Sequence, residues 1–97
     1  MKVLALEIES PGTPAESFVP YLREEARAVW QLYRSGTVRE AHFRADQKAA
    51  VLVLEATDRD EAERVLADLP LVKHGLIRFE IIPLQPYPGW ERLFSDV

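Results

Sequence analysis

Thr37-Val38-Arg39-Glu40-Ala41-His42-Phe43-Arg44-Ala45 and Ala49-Ala50-Val51-Leu52-Val53-Leu54-Glu55-Ala56, parted only by Asp46-Gln47-Lys48, form the stretch from which the fold can be read. Two runs of strand-forming residues with a short polar break predict a hairpin, with strands over 37–45 and 49–56. The second run is apolar at both parities, the pattern of a strand covered on both faces. The first is mixed: Arg39, Ala41 and Phe43 fall at one parity and Glu40, His42 and Arg44 at the other. It reads as an edge strand or the wall of a pocket.

Upstream of the hairpin, Gly36 supplies a stop for a helix expected from about Pro20 to Ser35. A proline inside that helix would remove a backbone hydrogen bond and clash with the preceding turn, so residues 14–18 are expected to form a separate short turn. Thr13-Pro14-Ala15-Glu16 has the spacing of a capping box. The apolar run over 2–8, closed by Ser10-Pro11-Gly12, predicts a first strand. Downstream, Asp58 with Glu61 three residues on predicts a capped second helix, with Ala62, Val65, Leu66 and Leu69 as its buried stripe and Pro70 as its end. A last strand is expected over 76–84. The tail over 85–97, rich in proline and aromatics, is expected to be an irregular arm packed on the domain or on a partner subunit. The order β-α-β-β-α-β over 1–84 predicts an α+β, ferredoxin-like domain: a four-stranded antiparallel sheet with two helices on one face. Strands one, three and four carry apolar residues at both parities, so the uncovered face needs a cover, and a second copy of the sheet supplies it by two-fold symmetry. A homodimer is therefore expected.

Ninety-seven residues allow one domain, and 12 Lys+Arg against 16 Asp+Glu give a net charge of -4, which offers no footprint for nucleic acid or an acidic membrane surface. No cysteine is present, which removes disulfides, thiolate metal sites and thiol nucleophiles and fits a cytoplasmic setting. Glu7 and Glu9 cut the N-terminal apolar run far below the length of a signal peptide or a membrane span, so a soluble, unprocessed chain is expected. Two histidines without spaced carboxylate partners, four scattered glycines and the lack of a Gly-x-Ser-x-Gly elbow give no signal for a metal, a nucleotide cofactor or a serine hydrolase. A small-molecule ligand remains as the expected partner besides the chain itself.

On the expected main helix Phe18, Leu22, Val29, Leu32 and Tyr33 form one stripe, and Glu25 falls near its middle. A carboxylate aimed at the core is either ion-paired, hydrated at a helix end, or a proton-transfer group whose pKa is raised by desolvation. Arg39 suits bidentate recognition of a carboxylate, from a substrate or from Glu25, and equally suits a surface ion pair. The unperturbed pKa of a histidine suits proton shuttling near neutrality, so His42 is either a proton shuttle or an ordinary strand residue, while His74 reads as surface. Trp30, Tyr33, Tyr87 and Trp90 can wall a cavity or fill a core. Glu7, Arg78 and Glu80 interrupt apolar strands, and structural pairing is the default reading for them, with Glu7 opposite Arg78 as one candidate pair whose register the sequence does not give.

Leu32-Tyr33-Arg34-Ser35-Gly36-Thr37-Val38-Arg39, followed 33 residues after Gly36 by Leu69-Pro70-Leu71, resembles the muconolactone isomerase-like family. The likeness runs from about Glu25 to Leu71 and takes in Glu25, Gly36-Thr37, Arg39, Arg44 and Glu61-Ala62. The resemblance implies a dimeric α+β barrel, a pocket between helices and sheet closed by a C-terminal segment, and cofactor-free proton shuttling on an unsaturated lactone. The second strand lacks the aromatic richness of a true isomerase, and the Pro86-Tyr87-Pro88-Gly89-Trp90 tail resembles uncharacterised members of the group. The expected site has Glu25 and His42 as catalytic groups and Arg39, Tyr33 and Trp30 as substrate-binding groups. A cofactor-independent oxygenase of aromatic compounds and a non-catalytic ligand-binding dimer are the alternatives.

Overall fold

The central strand pair sets the rest of the architecture. In the computed structural model, which describes residues 1–94, β1 (Lys2–Glu9) lies antiparallel to β3 (Ala50–Glu55) with Val3 opposite Leu54 and Ala5 opposite Leu52. All four of these side chains are buried. β2 (Val38–Phe43) adds to the far side of β3 and β4 (Ile77–Pro83) to the far side of β1, giving an antiparallel sheet of order β2-β3-β1-β4. This is the α+β topology that the order of elements predicts. Asp46 in the hairpin break holds Arg44 by two hydrogen bonds, at 2.9 and 2.6 Å.

The helices α1 (Leu22–Arg34) and α2 (Arg59–Ala67) cover one face of the sheet, where Ala62 and Leu66 of α2, with Leu69, join Val3, Ala5, Val38, Leu52 and Leu54 in the core. Ala28, Val29 and Leu32 of α1 pack against that core only in part. Gly36, at φ 85°, takes the left-handed turn that ends α1 and would strain any residue with a Cβ. Asp58 caps α2 by accepting the Glu61 N–H at 2.8 Å, and the Glu61 carboxylate reaches back to the Thr57 hydroxyl at 2.7 Å, a reciprocal cap of the expected kind.

Several expectations are corrected. Pro20 sits in a 3-10 turn, Val19–Tyr21, so α1 begins two residues later than expected. Thr13 does not cap; its hydroxyl donates to the Ser10 carbonyl at 2.8 Å, and the turn Ala15–Ser17 starts from an uncapped Pro14. Pro70 does not end the second helix, which stops at Ala67. Instead it opens a separate one-turn helix, α3 (Pro70–Lys73), at the first position, where its missing N–H is harmless. His74, just beyond α3, is exposed and stacks on Tyr21 with ring centroids 4.0 Å apart. The tail is not wholly irregular: Pro88–Leu93 form a 3-10 segment in which Tyr87 and Trp90 meet edge to face at 5.2 Å. The end of the expected arm, 95–97, lies outside the described residues.

The hairpin carries the correction with the largest effect. A bulge between Val38 and Glu40 shifts the register, so Val38 pairs with Leu54 but Glu40 with Val53. Val38, Ala41 and Phe43 thereby share the helix side, and Glu40 and His42 go to the other, where strict alternation would have put Val38 with Glu40 and His42. Glu7 also differs from its default pairing. It stands opposite Phe79, and Arg78 stands opposite Ile8, so Glu7 and Arg78 point to different faces.

Candidate functional site

Between α1 and the helix side of the sheet lies a cavity of about 1110 Å³ that opens past β2. Its origin is visible in the sequence: Ala26, Ala41 and Ala50 line it, and side chains this small leave the space between helix and sheet unfilled. Leu22, Glu25, Ala26, Val29, Trp30 and Tyr33 come from one face of α1 at helical spacing. Phe43 and Phe79 supply aromatic wall from the two edge strands.

Glu25 is half-buried in this wall. Its Oε1 accepts the Leu71 N–H at 2.9 Å, and that N–H belongs to the first turn of α3, which has no intrahelical partner for it. One carboxylate oxygen is thus committed to holding α3, and Oε2 is left for other work. Burial pushes the Glu25 carboxyl above the ordinary range, and the Leu71 N–H pulls it partly back. Sequence reasoning placed Glu25 on the apolar stripe but not its anchor.

Glu7 was the residue read as structural. It continues the core-facing row of β1, Val3 and Ala5, into the cavity, where it is half-buried. Burial raises its pKa most, the Ala50 backbone lowers it, and the charges of Glu25 and Glu9 raise it further. The available signal was parity: a glutamate two residues after a buried alanine on the same strand face.

Trp30 and Tyr33, the expected binding pair, both line the cavity and stack with centroids 5.7 Å apart and planes 22° from parallel. They are 56% and 50% exposed, so they stand at the mouth. Arg39, at the bulge, borders the cavity and forms no ion pair among the described residues, with Glu25 or any other carboxylate. Its charge helps to lower the pKa of Glu55. His42 borders the open edge, exposed, with Nε2 3.0 Å from Glu40 Oε1 and its side chain at the parity of Val51. The structure therefore brings Glu25, Trp30 and Tyr33 together on one helix face, with Arg39 and His42 on the strand across the opening. Among the described residues, no three His, Asp or Glu side chains gather as metal ligands, and no helix is long and apolar enough to cross a membrane.

Residues 4–89 match the family model for muconolactone delta-isomerase. No curated protein matches the sequence. Among solved structures, muconolactone isomerase is similar to this chain with a TM-score of 0.71 at 21% identity, over 92% of this chain and 93% of the other. The 5-chloro-2-hydroxyhydroquinone dehydrochlorinase of Burkholderia phenoliruptrix AC1100, in complex with 2,5-dihydroxybenzoquinone, is similar with a TM-score of 0.72 at 15% identity, over 92% of this chain and 98% of that one.

Proposed function

The chain belongs to the muconolactone delta-isomerase family, and from that premise we propose that its cavity is an active site in which Glu25 moves a proton between two carbons of an unsaturated lactone or related cyclic carbonyl compound, without a cofactor. The observation that carries this reading is the half-buried, anchored Glu25 carboxylate among Leu22, Ala26, Val29 and Trp30 on the cavity face of α1. A carboxylate raised above its ordinary range by burial is a stronger base than one in water, and its fixed orientation removes a rotational cost from proton abstraction. Glu25 Oε2 takes the proton from the carbon next to the conjugated system, which leaves a dienolate, and returns it at the other end of that system. Arg39 meets the oxygen on which the negative charge collects, or a carboxylate of the substrate. Trp30 and Tyr33 hold the ring at the mouth, and His42, which the bulge turns with Glu40 to the sheet face without helices, stands apart from Glu25.

The working unit is a homodimer in a cytoplasmic setting. Leu4, Leu6, Ile8, Val51, Val53 and Ile82 form a half-exposed apolar strip on the sheet face without helices, suited to a second copy. The tail leaves β4 where Pro83 pairs with Val3, the end of the sheet away from Glu7, Phe43 and the cavity. Leu93 and Phe94 there are 71% and 86% exposed. A radius of gyration of 16.0 Å exceeds the value of about 12.5 Å expected for a chain of this length. Such an arm supports the reading that it closes the cavity of another copy.

The test is hydrogen exchange at carbon. Wild-type protein, incubated with butenolides and cyclic enones in deuterium oxide, should wash deuterium into one of them and shift its double bond, while Glu25→Gln should lose this by roughly 10²- to 10⁴-fold. A Glu25→Gln protein with wild-type exchange rules the reading out. The stacked Trp30–Tyr33 pair favours one second reading, oxygenation of an aromatic substrate, which incorporation of labelled oxygen detects.

A further inference from the structure

We propose that Glu7, which lines the same cavity as Glu25, is a specificity-determining residue that makes the site discriminate against carboxylates. The inference rests on the reading of this cavity as the substrate site. Glu7 reaches the cavity along the row Val3 and Ala5, with Phe79 as its cross-strand neighbour on one side. Among the described residues neither Glu7 nor Glu25 forms a salt bridge. The cations that line the cavity, Arg39 and Lys48, are both exposed, and the exposed Glu9 and Glu40 line it as well.

The lining thus carries four acidic side chains, Glu7, Glu9, Glu25 and Glu40, against two cations. A carboxylated ligand seated among the aromatic walls would bring a third negative charge to two unpaired carboxylates in a partly desolvated place, where Coulomb repulsion is several times stronger than in water. A neutral ring meets no such repulsion and gains from Phe43 and Phe79. On this assignment Arg39 meets a carbonyl or dienolate oxygen, not a carboxylate.

The test uses an isosteric pair of probes, muconolactone and its primary amide, which differ in charge and hardly in shape. Binding to the full chain is measured by quenching of tryptophan fluorescence and by calorimetry. The wild type should bind the amide at least tenfold more tightly than the acid, and Glu7→Gln should reduce that ratio severalfold. Equal or tighter binding of the acid by the wild type overturns the proposal, as does a ratio unchanged in Glu7→Gln. Binding of neither probe to protein with normal thermal unfolding overturns both this inference and the site reading. Amide preference in a protein that moves no proton leaves the specificity standing and removes only the catalytic reading.

Discussion

Glu25 combines a structural duty with a proposed chemical one, and two substitutions separate them. In Glu25→Ala the Leu71 N–H loses the acceptor it holds at 2.9 Å, and an unmet, partly buried donor costs about 1–3 kcal/mol. Removing a half-buried charge returns part of that, so the net should fall in the lower half of the range. For a domain of this size about 1 kcal/mol shifts Tm by roughly 4–8 °C, so Glu25→Ala should melt on the order of 5–10 °C below wild type. Glu25→Gln keeps an oxygen for Leu71 and drops the charge. Because burial raises the Glu25 pKa in the folded state, its stabilising share is complete below the unfolded value and is lost as pH rises through the folded one. The glutamine protein should therefore melt at or above the wild-type temperature at neutral pH, and both variants should lose proton transfer alike. Scanning calorimetry beside deuterium wash-in reads the two effects. An alanine variant as stable as wild type would refute the anchoring argument, and a glutamine variant as active would refute the base assignment.

Three other outcomes are expected. Glu7→Gln should raise Tm at neutral pH, since the raised pKa of Glu7 means that its ionised form opposes folding, and the gain should vanish as pH falls below the ordinary glutamate value; thermal melts across pH check this. Leu54→Ala, at a side chain with no exposed surface, should cost about 2–5 kcal/mol in urea unfolding. Val53→Lys, on the sheet face without helices, should shift the molecular mass in light scattering from dimer toward monomer while leaving far-ultraviolet circular dichroism unchanged; a mass that stays dimeric would move the interface elsewhere.

The order of elements and most of the core were legible because periodicity reports which residues face each other. Val51 to Leu54, apolar throughout, marked the central strand, and Asp58 with Glu61 marked the start of α2. What escaped depends on geometry that no local pattern encodes. Pro70 carries the same chemistry whether it ends one helix or begins another, and only the Leu69 backbone, extended at ψ 136°, distinguishes the cases. Glu25 could be placed on the stripe from spacing alone, but its partner Leu71 is 46 residues away in sequence. Glu7 departs from the expectation that a charged strand residue is paired: among the described residues it has no counter-charge, a property of three strands together.

The bulge at Arg39 has a bearing on how such a pocket changes through descent. With it, Ala41 and Phe43 face the helix side and Glu40 and His42 the reverse; deletion of the one extra residue there would leave both sets where they are, since Val38 already pairs with Leu54 and Glu40 with Val53. A lineage could thus lose this residue without altering the lining, whereas closing the bulge with Arg39 retained would slip the strand by one residue and bring the acid and the imidazole to the helix side. The bulge, more than any one side chain of the strand, decides which set the pocket receives.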